Sequence, residues 1–270
     1  MFKIIACDLD ETLIRLDRTI SKEDKEAILK AKQAGVKFVP ATGRGYISVE
    51  NTLKELGLFN EENEYVISYN GGAITENKGN KLIHYQGISF EKASALYKRG
   101  LQYDVCVHVY TKDMIYAYNL IPEEIEYLKG RQAVTEIFSK DIEFLKGQDI
   151  VKCIYMNTDY EYLKQIENEI QDLIDDIDVS YSSNRYMEFN QKGVNKGTGL
   201  ETLAKLLHVD LKDTIAIGDN FNDLSMIKKA GLGIGVANTV EDMKPECDYI
   251  TKSTCDENAI SEVIYTFVLK

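Results

Sequence analysis

Phe2-Lys3-Ile4-Ile5-Ala6-Cys7, running directly into Asp8-Leu9-Asp10-Glu11-Thr12, is the stretch that decides the fold. The apolar run reads as a buried first strand, and the acids that end it read as a polar loop at the strand's carboxyl edge. Ser21-x-x-Asp24 then opens a helical pattern reaching Gly35, and Val36 to Pro40 supplies a second strand. A turn at Thr42-Gly43-Arg44, a helix from Ile47 to Leu56 and a third strand from Tyr65 to Tyr69, closed by Asn70-Gly71-Gly72, continue the pattern. Strand and helix alternate, as in a doubly wound, mostly parallel α/β sheet.

From about Leu82 the texture changes. Val105–Tyr110 and Met114–Tyr118 read as short strands around Thr111-Lys112-Asp113, followed by a helix-prone stretch at Pro122–Leu128. Ile150–Met156, Asp178–Ser182 and Tyr186–Phe189 read as further strands, and Tyr160–Leu173 as an amphipathic helix. The alternating pattern returns with a helix over Gly197–Leu207, a strand over Thr214–Ile217, a helix over Asn222–Ala230 and a strand over Gly233–Val236. The expected organisation is a core in two parts, 1–82 and 189–270, interrupted by a smaller α+β domain at 83–188. Two chain crossings would let the insertion open and close as a lid; uninterrupted side-by-side domains are the alternative.

A chain of 270 residues, 44% apolar and 28% charged, is long enough for more than one domain, and three prolines argue against rigid linkers. Its formal charge of -12 disfavours nucleic acid and anionic membranes as partners. No window approaches a membrane span, and Phe2–Cys7 reaches Asp8 too soon for a secretory segment. Cys7, Cys106, Cys153, Cys247 and Cys255 lack the paired spacing of a zinc or redox centre and read as reduced thiols of a cytoplasmic protein. A monomer is the default expectation, and no organic cofactor is required.

A second acidic loop, Gly218-Asp219-Asn220-Phe221-Asn222-Asp223, follows the strand Thr214–Ile217. Parallel strands that end side by side bring such loops together, in the crevice where open α/β sheets bind ligands. Several acids crowded there are costly without a cation, which points to a magnesium (Mg2+) site held by Asp8, the Asp10 backbone carbonyl and Asp219, with Asp223 positioning a ligand or an outer-shell water. A carboxylate can attack phosphorus when a cation neutralises the approach, so Asp8 reads as a nucleophile and Asp10 as a general acid and base.

Thr42 and Gly43 offer a hydroxyl and backbone donors to phosphoryl oxygens, although Thr42 alone would suit a helix cap. Lys196, before a Gly-rich helix start, can neutralise a transferring phosphate. Arg44 reads equally as a phosphate ligand and as the partner of a surface acid. Asn70-Gly71-Gly72 is most simply a tight turn that also lends donors to substrate. Asn222 reads as a helix cap or as a residue that orients phosphate or Asp219.

With these residues in view, the chain resembles the haloacid dehalogenase-like superfamily, specifically the Cof-type phosphatases whose Rossmann-like core carries an inserted C2 cap. The resemblance covers essentially the whole sequence and rests on Asp8-Leu9-Asp10-Glu11-Thr12-Leu13, Ala41-Thr42-Gly43-Arg44, Gly193-Val194-Asn195-Lys196-Gly197 and Gly218-Asp219-Asn220-Phe221-Asn222-Asp223. It implies that Asp8 is phosphorylated, Asp10 is the acid and base, Thr42 and Lys196 hold phosphate, and Asp8, Asp10 and Asp219 ligate magnesium. Asn70, Gly71, Asn222 and Arg185-Tyr186-Met187-Glu188 are similar to recurrent positions near the core and cap junction. Glu11 departs from the pattern, since glycine is frequent at that position.

The resemblance implies hydrolysis of a small organic phosphomonoester without naming its leaving group. Phosphomutase-type transfer to another hydroxyl, and a phosphometabolite-binding protein without turnover, are the alternatives. Metal-dependent phosphate release separates them.

Overall fold

A computed structural model describes residues 1–112, 114–129 and 133–269; Asp113 of the expected turn lies outside the described residues. In chain order the elements are β1 (Ile4–Cys7), α1 (Lys22–Gln33), β2 (Lys37–Pro40), α2 (Glu50–Glu55), β3 (Tyr65–Ser68), β4 (Ala73–Glu76) and β5 (Lys81–Tyr85). There follow α3 (Phe90–Gly100), β6 (Cys106–Thr111), β7 (Ile115–Tyr118), α4 (Pro122–Leu128), β8 (Val134–Ile137), β9 (Ile150–Met156), α5 (Tyr160–Glu169), β10 (Ile177–Ser182) and β11 (Tyr186–Gln191). The chain closes with α6 (Lys196–Leu206), β12 (Thr214–Gly218), α7 (Leu224–Lys229), β13 (Leu232–Gly235), β14 (Tyr249–Ile250) and α8 (Ala259–Phe267).

Two compact units result, Met1–Tyr85 with Asn195–Lys270, and Gln86–Val194. The boundaries expected at 82/83 and 188/189 fall inside β5 and β11, because both strands complete their hydrogen-bond ladders before the chain leaves its sheet.

The first unit is an α/β fold around a parallel sheet in the order β14-β13-β12-β1-β2. Alternation along β1 sends Ile5 and Cys7 to a core shared with α1 and α8, while Ile4 and Ala6 face α6 and α7. Both faces are covered, which is why these strands read as continuous apolar runs. Ser21 caps α1, its Oγ accepting from the Asp24 amide at 2.9 Å. β3, β4 and β5 form a separate antiparallel sheet whose hairpin the sequence reading did not anticipate.

The second unit is a six-stranded sheet, β10-β11-β9-β6-β7-β8, antiparallel except for the β7–β8 pair. Leu96 and Tyr97 of α3 and Leu163 and Ile166 of α5 pack with Val107, Val109, Tyr155, Met187 and Phe189 in one apolar cluster. On the alternate register Lys152 and Glu188 form a buried ion pair at 2.5 Å. Tyr186 donates its hydroxyl to buried Glu124 at 2.6 Å, and Arg185 reaches the same carboxylate at 3.3 Å. The Arg185–Glu188 stretch therefore supplies Met187 to the apolar cluster, while Arg185, Tyr186 and Glu188 make polar contacts. Helix α5 stops at Glu169 rather than Leu173, and the expected helix at Ile47–Leu56 begins as a 3-10 turn over Tyr46–Val49.

Candidate active site

Strand register brings the two acidic loops together. Cys7 pairs with Ile217, and the Asp8 amide donates to the Ile217 carbonyl at 2.9 Å, so Asp8 and Asp219 leave adjacent strand ends. Asp8, Asp219 and Asp223 are buried, and each offers a carboxylate oxygen within 4.8 Å of the other two. Lys196, at the first position of α6 and 0% exposed, donates Nζ to Asp8 Oδ1 and to Asp223 Oδ1, both at 2.5 Å.

Local structure fixes each of these side chains. Asn195 caps α6 in a reciprocal box with Thr198, which sets the helix start from which Lys196 projects. Gly197 lies against α7, where an added Cβ would stand 2.3 Å from the Ser225 carbonyl. Asp223 folds back over Gly218, where a Cβ would meet its carboxylate, and Asp223 Oδ2 accepts from the Asp219 and Asn220 amides at 3.0 and 3.1 Å. Thr12, which sequence reasoning passed over, donates its hydroxyl to Asp219 Oδ1 at 2.7 Å. Its place four residues after Asp8 in the same acidic loop was the available signal.

Electrostatics follow from three carboxylates facing the one ammonium of Lys196. Burial opposes charge on Lys196, but Asp223 and Asp8 more than offset it and hold the ammonium above the ordinary lysine range. Burial, then the charges of Asp223 and Asp219, push the Asp8 carboxyl well up against the pull of Lys196. Asp219 is raised to about 7 by burial and by Asp223, with the Thr12 hydroxyl and Lys196 opposing. This surplus of buried negative charge on an all-oxygen donor set fits a hard divalent cation.

Asp10 stands apart from that cluster. Its half-exposed carboxylate is gripped by Arg44, with Nε donating to Oδ2 at 2.8 Å and Nη2 to Oδ1. Of the two readings of Arg44, this arrangement has it on an acid. Thr42 is buried; its hydroxyl accepts from the Arg44 amide at 3.1 Å and its carbonyl from the Asn70 amide at 2.9 Å. Gly43 lies against the Asn70 side chain, which a Cβ would approach to 3.3 Å.

Tyr69 and Asn70 both adopt left-handed backbone, with φ of 52° and 53°, so β3 ends one residue early in a sharp turn. Gly71, at φ 98°, packs its backbone on the start of α6, where a Cβ would stand 2.2 Å from the Asn195 carbonyl. The loop at 69–71 thereby supports the Lys196 helix. Asn222 is half-buried in the turn before α7, but the residue at the cap position is Asp223. Asp223 makes no side-chain cap bond to α7, because its carboxylate is drawn back to the Asp219 and Asn220 amides and to Lys196. Cys7 is buried, and burial raises its thiol pKa, with Asp8 adding to the effect; it behaves as core filler.

A family model for haloacid dehalogenase-like hydrolases matches residues 5–264, and the chain belongs to that family. It is 29% identical over 285 residues to the 5-amino-6-(5-phospho-D-ribitylamino)uracil phosphatase YwtE of Bacillus subtilis (strain 168), covering 97% of this chain and 96% of that protein. It is 28% identical over 293 residues to phosphatase YwpJ of the same organism, covering 97% and 98% respectively. A haloacid dehalogenase-like hydrolase from Bacteroides thetaiotaomicron, known from its crystal structure, superposes with a TM-score of 0.86 at 30% identity over 98% of this chain and 99% of that chain. No helix among the described residues is long and apolar enough to cross a membrane.

Proposed function

We propose that this protein hydrolyses small organic phosphomonoesters with the help of magnesium, by way of a phosphoryl group held transiently on Asp8. The observation that carries the reading is the buried constellation of Asp8, Lys196, Asp223 and Asp219 at two adjacent strand ends. The relatives named as phosphatases support the reaction class, and the ribityl phosphate in the name of one of them is a small ester of the kind expected.

In this account an Asp8 carboxylate oxygen attacks phosphorus as the ester P–O bond breaks. Asp10, protonated once its carboxylate leaves the Arg44 fork, gives that proton to the departing alkoxide, then takes one from the water that attacks the aspartyl phosphate, releasing inorganic phosphate and restoring the Asp8 carboxylate. Lys196 offsets charge on the transferring oxygens while Asp223 holds it in place. Thr42 and the backbone around Gly43 donate to phosphate, and Asn70 and Asn222 border the same site. Asp8, Asp219 and the Asp10 carbonyl would hold magnesium, with Asp223 positioning a ligand or an outer-shell water, and the ion would neutralise the two anions that must meet.

The test is inorganic phosphate release across sugar phosphates, nucleotides, flavin mononucleotide and pyridoxal phosphate, with and without magnesium, with Asp8→Asn in parallel. Metal-dependent release that disappears in the folded Asp8→Asn variant is expected. Equal release by that variant would remove Asp8 as nucleophile.

A further inference from the structure

Glu11 carries left-handed backbone, φ 61°, in the turn between Asp10 and Thr12. A side chain in that region crowds its own backbone, so the turn persists only where its surroundings hold it. Within the turn the Glu11 amide donates to the Ile14 carbonyl at 3.0 Å, and a second hold on the Glu11 peptide comes from the loop after β13. Asn238 donates Nδ2 to the Glu11 carbonyl at 2.7 Å, while its Oδ1 accepts from the Cys255 amide at 2.9 Å. With donor and acceptor ends both engaged, the orientation of this amide group is set.

The peptide gripped in this way is the one joining Glu11 to Thr12. Its carbonyl faces Asn238 and its N–H donates to the Leu9 carbonyl at 3.4 Å, so its plane sets the direction from which Thr12 reaches Asp219 Oδ1. The next two residues reach the other acidic strand end: Thr239 donates its hydroxyl to the Gly218 carbonyl at 3.2 Å, and the Val240 amide donates to the Asp219 carbonyl at 3.0 Å. Residues 238–240 thus grip both acidic loops at once.

We propose that Asn238 is a positioning residue for the phosphoryl-transfer site, acting through the Glu11–Thr12 peptide on Thr12 and Asp219. The inference rests on the phosphatase reading given above. It also assigns the origin of the requirement: a glycine at position 11 would enter the left-handed region without strain, so Asn238 matters because Glu11 is there.

The test is steady-state hydrolysis of para-nitrophenyl phosphate by wild type, Asn238→Ala, Asn238→Asp, Glu11→Gly and the Glu11→Gly/Asn238→Ala double variant, each checked for folding by thermal melting. Asn238→Ala lowers kcat about fivefold with KM within about twofold, the rate equivalent of one neutral hydrogen bond. Asn238→Asp loses at least as much, since it keeps the acceptor for Cys255 but sets an oxygen against the Glu11 carbonyl. In the Glu11→Gly background the loss shrinks below about twofold. An unchanged kcat in Asn238→Ala, or an equal loss in both backgrounds, overturns the proposal. If wild type releases no phosphate from any ester, the phosphatase reading falls separately. The inference is then read from magnesium alone: a smaller magnesium-induced rise in Tm for Asn238→Ala than for wild type supports it, and an equal rise overturns it.

Discussion

The Arg44 guanidinium holds the Asp10 carboxylate through two nitrogens, Nε and Nη2, one to each oxygen. Both side chains are partly exposed, so the pair adds less than about 1 kcal/mol to stability. Its consequence lies in orientation. Arg44→Lys keeps the charge but loses the planar fork, and we expect kcat to fall about tenfold while Tm stays within a few degrees of wild type. Kinetics and thermal melting on the same preparation check this; wild-type kcat in Arg44→Lys would show that the fork does not position Asp10.

Lys196 has two buried carboxylates on one nitrogen. Replacing it by methionine leaves them facing each other without a cation, which costs about 3–5 kcal/mol of stability. Urea unfolding measures the loss. Magnesium should recover more stability in the variant than it adds to wild type, because the divalent ion takes over neutralisation.

Asp219 has a pKa of about 7 in the fold, against roughly 3.9 in an unfolded chain. Between those values the folded, metal-free protein binds more protons than the unfolded one, so its stability falls as pH rises through the window. The raised Asp8 carboxyl acts in the same direction. On the proposed function magnesium binds the ionised carboxylates, so adding it should reverse the trend. The expected result is a larger magnesium-induced rise in Tm at pH 8 than at pH 5.5, measured by scanning calorimetry; equal rises at both would contradict it.

Gly71 combines a φ of 98° with direct backbone contact on Asn195. Gly71→Ala should destabilise the protein by at least about 2 kcal/mol through strain and collision together. It should also lower phosphate release, since the displaced helix start carries Lys196. Chemical denaturation and steady-state kinetics test the two parts separately.

Much of the fold was legible in the residues themselves. The apolar runs of β1, β2 and β12 and the Ser21 cap of α1 are local patterns, set by side-chain period and by the hydrogen-bonding needs of chain ends. The two acidic loops were also visible, because acids that recur at two strand ends have few bland explanations, and the family resemblance added Ala41–Arg44 and Lys196 to them. The β4–β5 hairpin was harder to see, since β4 is a short buried strand with no alternation and β5 is partly exposed throughout; so was the early end of β3, where Tyr69 and Asn70 take up left-handed backbone without a glycine to announce it.

The sequence alone therefore determined the α/β class and pointed to Asp8, Asp10, Lys196 and Asp219 as the residues to watch, through local spacing together with the family resemblance that the motifs carry. Only the tertiary structure decided which partners they meet. Asp223 sits on Lys196, Arg44 on Asp10, Thr12 on Asp219 and Asn238 on the Glu11 carbonyl. Each joins segments well separated in the chain: Arg44 and Asp10 meet where β2 lies beside β1, Lys196 and Asp223 where the starts of α6 and α7 come together, and Thr12 and Asn238 reach their partners because β12 is paired with β1 on one side and β13 on the other. Contacts of that kind are properties of the assembled sheet, and no local pattern encodes them.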